Sequence, residues 1–364
     1  MLLRDLHLMH FKSWSEASFE FAPKLNCFIG LNGSGKTNLL DAIHYLSLTK
    51  SYFSSSDQYN IQHGADFFSI SGQAEDYEGQ REKLYCAVQK GQKKLFKKAD
   101  KAYPKLSEHI GYLPAVVISP YDRNLITEGS ELRRRFLDNV LSQSEATYLD
   151  DLLRYNKSLQ QRNSLLKFFA ANQNFDAETL EAIDSQMLEY GQRLFNRRAD
   201  FCSRLNPRID HYYRQISDGR ETASLVYRSQ LNEGDFKSGL AENLNRDRLN
   251  QYSSVGVHRD NLDFLLDGHS IRRYGSQGQQ KSYLIALKLA QYEFIGESLN
   301  KIPLLLLDDI FDKLDEQRVA QLVQLAHGEH FGQIFITDTH RERTERLISE
   351  VDPQAAVYNT ADLK

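Results

Sequence analysis

One stretch constrains the fold of this chain more than any other: Gly30-Leu31-Asn32-Gly33-Ser34-Gly35-Lys36-Thr37. It satisfies the pattern G-x4-G-K-[S/T], follows an apolar run at residues 25–29 and precedes residues 38–48, whose apolar positions have helical spacing. A strand, a glycine-rich turn and a helix in this order typically form a phosphate-binding loop, in which backbone N–H groups and the helix dipole face phosphate oxygens. We therefore expect an α/β fold that binds a nucleotide through all eight residues.

Two side chains of this loop have specific expected roles. The Lys36 ammonium is expected to reach the β- and γ-phosphates, and the Thr37 hydroxyl to ligate Mg²⁺. The loop therefore predicts ATP and Mg²⁺ as cofactors.

A second motif is the apolar run Leu304–Leu307, which is followed by Asp308 and Asp309. A continuous apolar run is typical of a parallel strand buried on both faces, and ligands bind at the carboxyl ends of such strands. We expect Asp308 to hold Mg²⁺ and Asp309 to orient or deprotonate the attacking water, so the predicted catalytic residues are Lys36, Asp308 and Asp309. The alternative interpretation is a core strand that leads into a capped turn.

The stretch Tyr274-Gly275-Ser276-Gln277-Gly278-Gln279 forms a second glycine-containing turn. Ser276 and Gln279 have capping-box spacing at the start of an apolar helical segment, so a helix cap alone would explain them. Gly278 allows close approach to a phosphate, and a helix N-terminus favours anions. We therefore interpret Ser276, Gly278 and Gln279 as nucleotide contacts.

This turn resembles the signature loop of ATP-binding-cassette (ABC) ATPases, which touches ATP held by another copy of the same domain. The resemblance implies a homodimer that forms on ATP binding. It also points to a D-loop at residues 311–315 and to His340, after an apolar strand, as a switch histidine that senses the γ-phosphate; the alternative for His340 is an ordinary exposed or core residue.

The order of segments predicts one discontinuous head with an inserted helical lobe. Strand signals dominate residues 1–119, and alternating strand and helix signals return at residues 251–364. Residues 120–250 contain two apolar runs with spacings of three and four, separated by a polar stretch that ends at Asp176, a predicted N-cap. We expect two antiparallel helices of about twenty residues each, or ~30 Å.

Composition bears on the expected partners and cellular compartment of the protein. A formal charge of −4 over 364 residues gives no global basic field, so any contact with nucleic acid must come from local patches. No apolar run approaches the roughly 20 residues of a membrane span, and three scattered cysteines show no metal or redox spacing. We expect a cytoplasmic protein with reduced thiols and no membrane partner.

Several further motifs make the chain similar to the RecF family of ABC/SMC-type ATPases, which are DNA replication and repair proteins. Besides the motifs above they are Phe11-Lys12-Ser13, Ser119-Pro120 with Asp122, Glu128-Gly129-Ser130, Arg133-Arg134-Arg135-Phe136-Leu137-Asp138, Gln161-Arg162-Asn163-Ser164-Leu165-Leu166-Lys167 and Val257-His258-Arg259-Asp260. The match covers essentially the whole chain. It implies an ABC-type P-loop ATPase head, a mixed sheet with helices, carrying a mainly helical lobe.

The same resemblance implies a function in recombinational repair. It implies ATP-dependent dimerisation, weak ATP hydrolysis, binding to single-stranded DNA and to junctions of single- and double-stranded DNA, loading of the recombinase at gaps with recombination-mediator partners, and a link to SOS induction. One position departs from the family pattern, since Ser130 stands where many members have proline. The sequence also shows no clear Q-loop glutamine, and Ser119-Pro120 occupies its expected place.

A lysine-rich segment is the main candidate for DNA contact. Its central members are Lys93, Lys94, Lys97 and Lys98 in a predicted hairpin around Gly91. Phosphate neutralisation by such lysines makes binding strongly dependent on salt, whereas lysines also guard exposed strand edges against aggregation. Arg133 to Arg135 and Arg197-Arg198 are more typical of a solvated helix face or of packing within the lobe.

Two other functions are compatible with the nucleotide motifs. One is a transporter-type cassette ATPase, which the helical insertion and the lysine-rich hairpin disfavour. The other is a nucleotide-binding scaffold that does not hydrolyse ATP.

Overall fold

The computed structural model describes residues 1–217, 219, 221–309, 328 and 330–360. The chain forms two compact units. The first consists of Met1–Arg123, Gln215–Asp218 and Leu284–Lys364, and the second of Asn124–Arg214 and Gly219–Tyr283. The division predicted from the sequence, into residues 1–119, 120–250 and 251–364, stays a prediction.

Strands of the described residues form three sheets. In chain order they are β1 Leu2–Leu3, β2 Asp5–Phe11, β3 Trp14–Glu20, β4 Leu25–Ile29, β5 Phe67–Glu75, β6 Arg81–Gln89, β7 Leu95–Lys98, β8 Lys101–Ala102, β9 Ala115–Ile118, β10 Ala223–Arg228, β11 Asn261–Leu266, β12 His269–Ser270, β13 Leu304–Leu307, β14 Ile334–Asp338 and β15 Ala356–Asn359. The apolar runs at residues 25–29 and 304–307, which were predicted as strands, form β4 and β13, and the apolar strand predicted before His340 is β14. Gly91, with φ 71°, lies in the connection between β6 and β7, as the predicted hairpin requires.

The first unit contains an antiparallel sheet and a parallel sheet. The antiparallel sheet has the order β3-β2-β5-β6-β7-β8, with β1 paired to β5. The parallel sheet has the order β15-β4-β14-β13-β9. Every residue of β4, β9, β13 and β14 is buried, as continuous apolar runs predict. Because these four strands are parallel, their carboxyl ends lie side by side at one edge.

Ten α-helices lie within the described residues. They are α1 Lys36–Leu48, α2 Arg123–Thr127, α3 Ser130–Ser144, α4 Ala146–Asn172, α5 Ala177–Ile216, α6 Phe236–Glu242, α7 Leu244–Asn250, α8 Ile271–Tyr274, α9 Gln277–Leu299 and α10 Arg341–Val351. Nearly all of α1 is buried, and its apolar side chains share one core with both sheets of the first unit. In the described part of the chain, no helix has the length and apolar character needed to span a membrane.

The second unit is mainly helical, with the small antiparallel sheet β10-β11-β12. The ion pairs Arg162–Asp184 and Arg193–Asp151 show that α4 and α5 run antiparallel, as predicted. Asp176 caps α5 by accepting a hydrogen bond from the Thr179 backbone N–H at 3.1 Å. The predicted lengths are wrong, because α4 has 27 residues and α5 has 40.

The extra length of α5 follows from its apolar pattern. Phe201, Leu205 and Ile209 continue the buried stripe beyond Leu194, and Pro207 lies inside the helix. The predicted helix followed the apolar run only as far as Leu194, whereas the buried stripe continues past Pro207, which removes one backbone hydrogen bond from the helix.

Buried arginines hold the helices of the second unit together. Arg198 is 2% exposed, and its guanidinium donates to Asp260 at 2.7 Å, to Asp138 at 2.8 Å and to the Val257 carbonyl at 2.7 Å. Arg133 donates to Asn261 and to two backbone carbonyls. Arg133 and Arg198 therefore contribute to packing within the helical lobe, which was one of the interpretations from the sequence, and are not exposed for DNA contact.

We predict that Arg198→Met destabilises the protein by about 3–5 kcal/mol, because it leaves the buried Asp260 without its counter-charge. The matched control is Arg204→Met on the same helix. The Arg204 side chain is 43% exposed and pairs with Asp200, so this substitution should lower the free energy of unfolding by less than about 1 kcal/mol. Urea denaturation measures both free energies of unfolding. Equal losses for the two variants would contradict the structural importance of the Arg198 network.

Candidate functional site

The glycine-rich loop connects β4 to α1 at the carboxyl edge of the parallel sheet. Gly33 and Gly35 have φ values of 79° and 103°, which glycine adopts without strain. A Cβ on Gly30 would lie 2.0 Å from the Thr360 Oγ1, and one on Gly35 would lie 2.9 Å from Trp14. The loop therefore needs glycine both for its backbone conformation and for close packing.

Lys36 points its ammonium group into the curve of this loop. Its Nζ donates to the carbonyl oxygens of Gly30 at 2.7 Å and Leu31 at 3.1 Å, and the residue is only 4% exposed. Helix α1 begins at Lys36, and the first N–H groups of a helix have no acceptor within it. This arrangement places the Lys36 ammonium inside the loop and next to a helix N-terminus, which favours anions, and its contact with phosphates stays a prediction.

Asp308 follows β13 and lies within hydrogen-bonding distance of three hydroxyl groups. Thr37 and Thr337 donate to its Oδ1 at 2.9 and 3.0 Å, and Ser119 donates to its Oδ2 at 3.4 Å. Burial raises the pKa of the Asp308 carboxyl, whereas the hydrogen bonds from Thr37 and Thr337 lower it and the charge of Asp309 raises it. The hydroxyl donors therefore offset part of the cost of burying this charge.

Asp309 has an unusual backbone conformation next to the buried carboxylate. Its φ is 45°, in the left-handed region, and its backbone N–H donates to the Thr337 Oγ1 at 3.0 Å. A non-glycine residue in this region is strained, and such strain concentrates at functional sites. The turn places Asp308 and Asp309 in different environments, and their separate roles stay predictions.

The oxygen donors at this edge fit Mg²⁺. Thr37 contributes a hydroxyl and Asp308 a carboxylate, and Mg²⁺ is commonly held by one or two carboxylates together with phosphates and water. Ser119, at the place of the absent Q-loop glutamine, brings a further hydroxyl to the same carboxylate.

Sequence reasoning missed two threonines that complete the site. Thr337 bridges Asp308 and the Asp309 backbone, and Thr360, directly after β15, donates to the Ser34 Oγ at 2.7 Å. Both follow or end apolar strands that pair with β4, and this position at a strand end is the signal that could have identified them.

In the second unit, Ser276 and Gln279 form the predicted capping box. The Gln279 backbone N–H donates to the Ser276 Oγ at 3.2 Å, and the Ser276 backbone N–H donates to the Gln279 side chain at 2.7 Å. Gln279 also donates to Glu221 at 2.5 Å. Ser276 is exposed and Gly278 is partly exposed at the start of α9. Their nucleotide contacts stay predictions.

His340 is exposed, lies two residues after the end of β14 and is the N-cap residue of α10, where its carbonyl oxygen accepts a hydrogen bond from Thr344 at 2.7 Å. Its role as a switch histidine stays a prediction. The predicted D-loop, residues 311–315, lies outside the described residues.

The four candidate DNA-contacting lysines differ in their surroundings. Lys94 pairs with Asp57 at 2.7 Å and donates to the Thr49 carbonyl at the end of α1, and Lys98 pairs with Glu82 at 2.7 Å. Lys93 is exposed and Lys97 is partly exposed, and neither forms an ion pair with another described residue. Lys93 and Lys97 are therefore the better candidates.

We predict that Gly35→Ala weakens nucleotide binding at least about tenfold, because the new Cβ crowds Ser13 and Trp14 and the left-handed backbone is strained. The control is Gly64→Ala, which shares a positive φ of 88° but has open space around its Cβ. Titration with a fluorescent ATP analogue measures the affinity, and thermal unfolding measures the stability of both variants. An unchanged affinity for Gly35→Ala would remove the loop from nucleotide binding.

Comparison with known proteins places the chain in a family. The model of the RecF/RecN/SMC N-terminal domain matches residues 2–361. The DNA replication and repair protein RecF of Flavobacterium johnsoniae is 48% identical over 359 residues, covering 99% of this chain and 100% of that protein.

Solved structures agree with this assignment. A structure of the recombination mediator protein RecF with ATP in the RecFOR pathway has a TM-score of 0.86 and 30% identity, covering 93% of this chain and 92% of that one. The Smc head domain of Pyrococcus furiosus shares the fold, with a TM-score of 0.55 at 15% identity over 95% of this chain and 91% of that one. The fold is thus the predicted ABC-type ATPase head with a helical lobe, and the chain belongs to the RecF family of DNA replication and repair proteins.

Proposed function

We propose that this protein is an ATP-gated DNA clamp of recombinational repair, in which ATP joins two copies of the chain. The observation that carries the proposal is the convergence of Lys36, Thr37 and Asp308 at the carboxyl edge of one sheet. Family membership supports it, because a related RecF has been solved with ATP as a recombination mediator.

Each chain has one phosphate-binding loop, the aspartate pair Asp308-Asp309 after an apolar strand, and an exposed Ser276 at a helix N-terminus. If Ser276 and Gly278 contact ATP bound by another copy, two chains complete two sites. The cap formed by Ser276 and Gln279 supports this role, since it fixes the helix start before a partner arrives.

The proposed chemistry is slow ATP hydrolysis that resets the clamp. Lys36 and the loop N–H groups hold the phosphates, and Thr37 and Asp308 hold Mg²⁺, which supplies charge neutralisation at the transferred phosphoryl group. Asp309 orients the attacking water or accepts its proton. His340 is the proposed sensor of the γ-phosphate.

The proposed ligand is DNA, at single-stranded regions and at junctions with duplex. The protein would then aid recombinase loading at gaps together with other recombination mediators, and thereby influence SOS induction. Lys93 and Lys97, without described acidic partners, support phosphate contact by the β6–β7 hairpin. Such contacts position the DNA without reading its sequence.

We predict that Ser276→Arg abolishes ATP-induced pairing but leaves ATP binding by the single chain within about twofold, because the added side chain blocks only the partner-facing helix start. Ser203→Arg, which adds the same charge to an exposed serine on α5, is the matched control and should pair normally. Lys36→Arg should lose pairing through loss of ATP capture. Sedimentation with and without ATP measures pairing.

The outcomes of this experiment separate the alternatives. Pairing by Ser276→Arg would refute the composite site, and loss of binding by the single chain would assign Ser276 to its own site. Pairing of the wild type without phosphate release would favour a scaffold that does not hydrolyse ATP.

We predict that Lys93→Gln/Lys97→Gln weakens DNA binding and lowers the slope of log affinity against log salt by about 1–2, since each lysine that contacts a phosphate releases about one counterion. The control is Lys157→Gln/Lys237→Gln, which removes two exposed lysines from the helices of the second unit. Fluorescence anisotropy with gapped duplex DNA at several salt concentrations measures the slope. An unchanged slope would exclude the hairpin from the interface.

A further inference from the structure

A buried ion pair lies close to the proposed Mg²⁺ site. The Lys288 Nζ is 2.8 Å from the Asp122 Oδ1, and the two side chains are only 4% and 3% exposed. Tyr52 donates its hydroxyl to the same Asp122 oxygen, and Lys288 donates to the Tyr52 Oη at 3.1 Å. All three residues belong to the first unit.

The other oxygen of Asp122 fixes the turn that follows β9. Asp122 Oδ2 accepts the Ser119 backbone N–H at 2.8 Å, which completes a capping box over Pro120–Asp122. Ser119 in turn donates its hydroxyl to the Asp308 Oδ2 at 3.4 Å. Asp122 therefore connects the Lys288 ammonium to the residue that contacts the metal-binding carboxylate.

The same cluster reaches the helix that follows the phosphate-binding loop. The Tyr52 backbone N–H donates to the Asp41 Oδ1 at 2.7 Å, and Asp41 lies fully buried on α1. Asp41 also pairs with Lys12 at 2.6 Å and accepts a hydrogen bond from Ser51 at 2.6 Å. The Ser119 turn and α1 are thus held by one continuous set of hydrogen bonds and ion pairs.

We propose that Lys288 and Asp122 are positioning residues that hold Ser119 against Asp308 and thereby set the Mg²⁺ affinity of the nucleotide site. The proposal rests on the Mg²⁺–ATP site of the proposed function. If the Thr37 oxygen bound the metal, Thr337 and Ser119 would remain as donors that orient the Asp308 carboxylate. Mg²⁺ tolerates little deviation from octahedral geometry, so the orientation of its carboxylate matters.

A purely stabilising role explains these contacts less well. Desolvation makes a buried ion pair a weak source of stability, and an apolar pair of similar volume is often as stable. Here both Asp122 oxygens are engaged, one by Lys288 and Tyr52 and the other by Ser119. The charge on Lys288 allows a carboxylate to lie buried beside this turn, and the carboxylate fixes Ser119.

The test measures metal dependence separately from nucleotide capture. We expect Lys288→Met to raise the Mg²⁺ concentration for half-maximal binding of a fluorescent ATP analogue about 10-fold or more, as loss of outer partners of a metal site does. Binding without Mg²⁺, which depends on Lys36 and the loop, should change by less than about twofold. Mn²⁺ titration followed by electron paramagnetic resonance gives the metal affinity directly.

Two further variants distinguish positioning from folding. Asp122→Asn/Lys288→Met removes both charges and retains a carbonyl oxygen that accepts the Ser119 N–H, so most of the metal affinity should return. Arg4→Met removes a partly buried ion pair with Glu75 elsewhere in the first unit and should leave the metal affinity unchanged. The stability of every variant is measured by thermal unfolding.

The possible results separate this proposal from the one it rests on. If the wild type bound the ATP analogue equally well with and without Mg²⁺, the metal site itself would be refuted. A wild type that needs Mg²⁺, with a Lys288→Met variant of unchanged metal affinity, would refute only the positioning role. Equal loss of binding with and without Mg²⁺, unrelieved in the double variant, would show that Lys288 supports the fold alone.

Discussion

The buried Asp308 carboxylate is the interaction on which the site depends. It accepts hydroxyl hydrogen bonds from Thr37 after β4, from Thr337 in β14 and from Ser119 after β9. These groups meet because β9, β13, β14 and β4 are neighbours in one parallel sheet and end at the same edge. A shift of one residue in any of these strands would turn the donor away, so the register of the sheet and the site are specified together.

The rest of the first unit supports the phosphate-binding loop from two sides. The indole Nε1 of Trp14 donates to the Gly35 carbonyl at 3.1 Å, which ties the antiparallel sheet to the start of α1. Thr360 packs on Gly30 from the end of β15. Packing on both sides holds the loop in a conformation that glycine allows, and this preorganisation reduces the entropic cost of binding a phosphate.

Short motifs and local periodicity were predictable from the sequence. The loop, β4, the start of α9 and the Asp176 cap each depend on residues only a few positions apart. Thr37 and Asp308 are separated by 271 positions, and their contact was expected only because both patterns were individually recognisable. Thr337 and Thr360 were indicated only by their positions at strand ends, and the Lys288–Asp122 pair has no local pattern, so the folded chain is needed to identify their partners. The sequence could not distinguish Lys94 from the neighbouring lysines, because its partner Asp57 is distant in the sequence.

The capping box at Ser276 shows that a structural explanation and a functional one need not compete. The side chains of Ser276 and Gln279 satisfy the start of α9, and Gln279 is further held by Glu221. Once the helix start is fixed in this way, its remaining N–H groups and the Ser276 hydroxyl are displayed in a constant geometry. A ligand that bound there would lose no affinity to ordering the loop, so the cap is compatible with the proposed binding role.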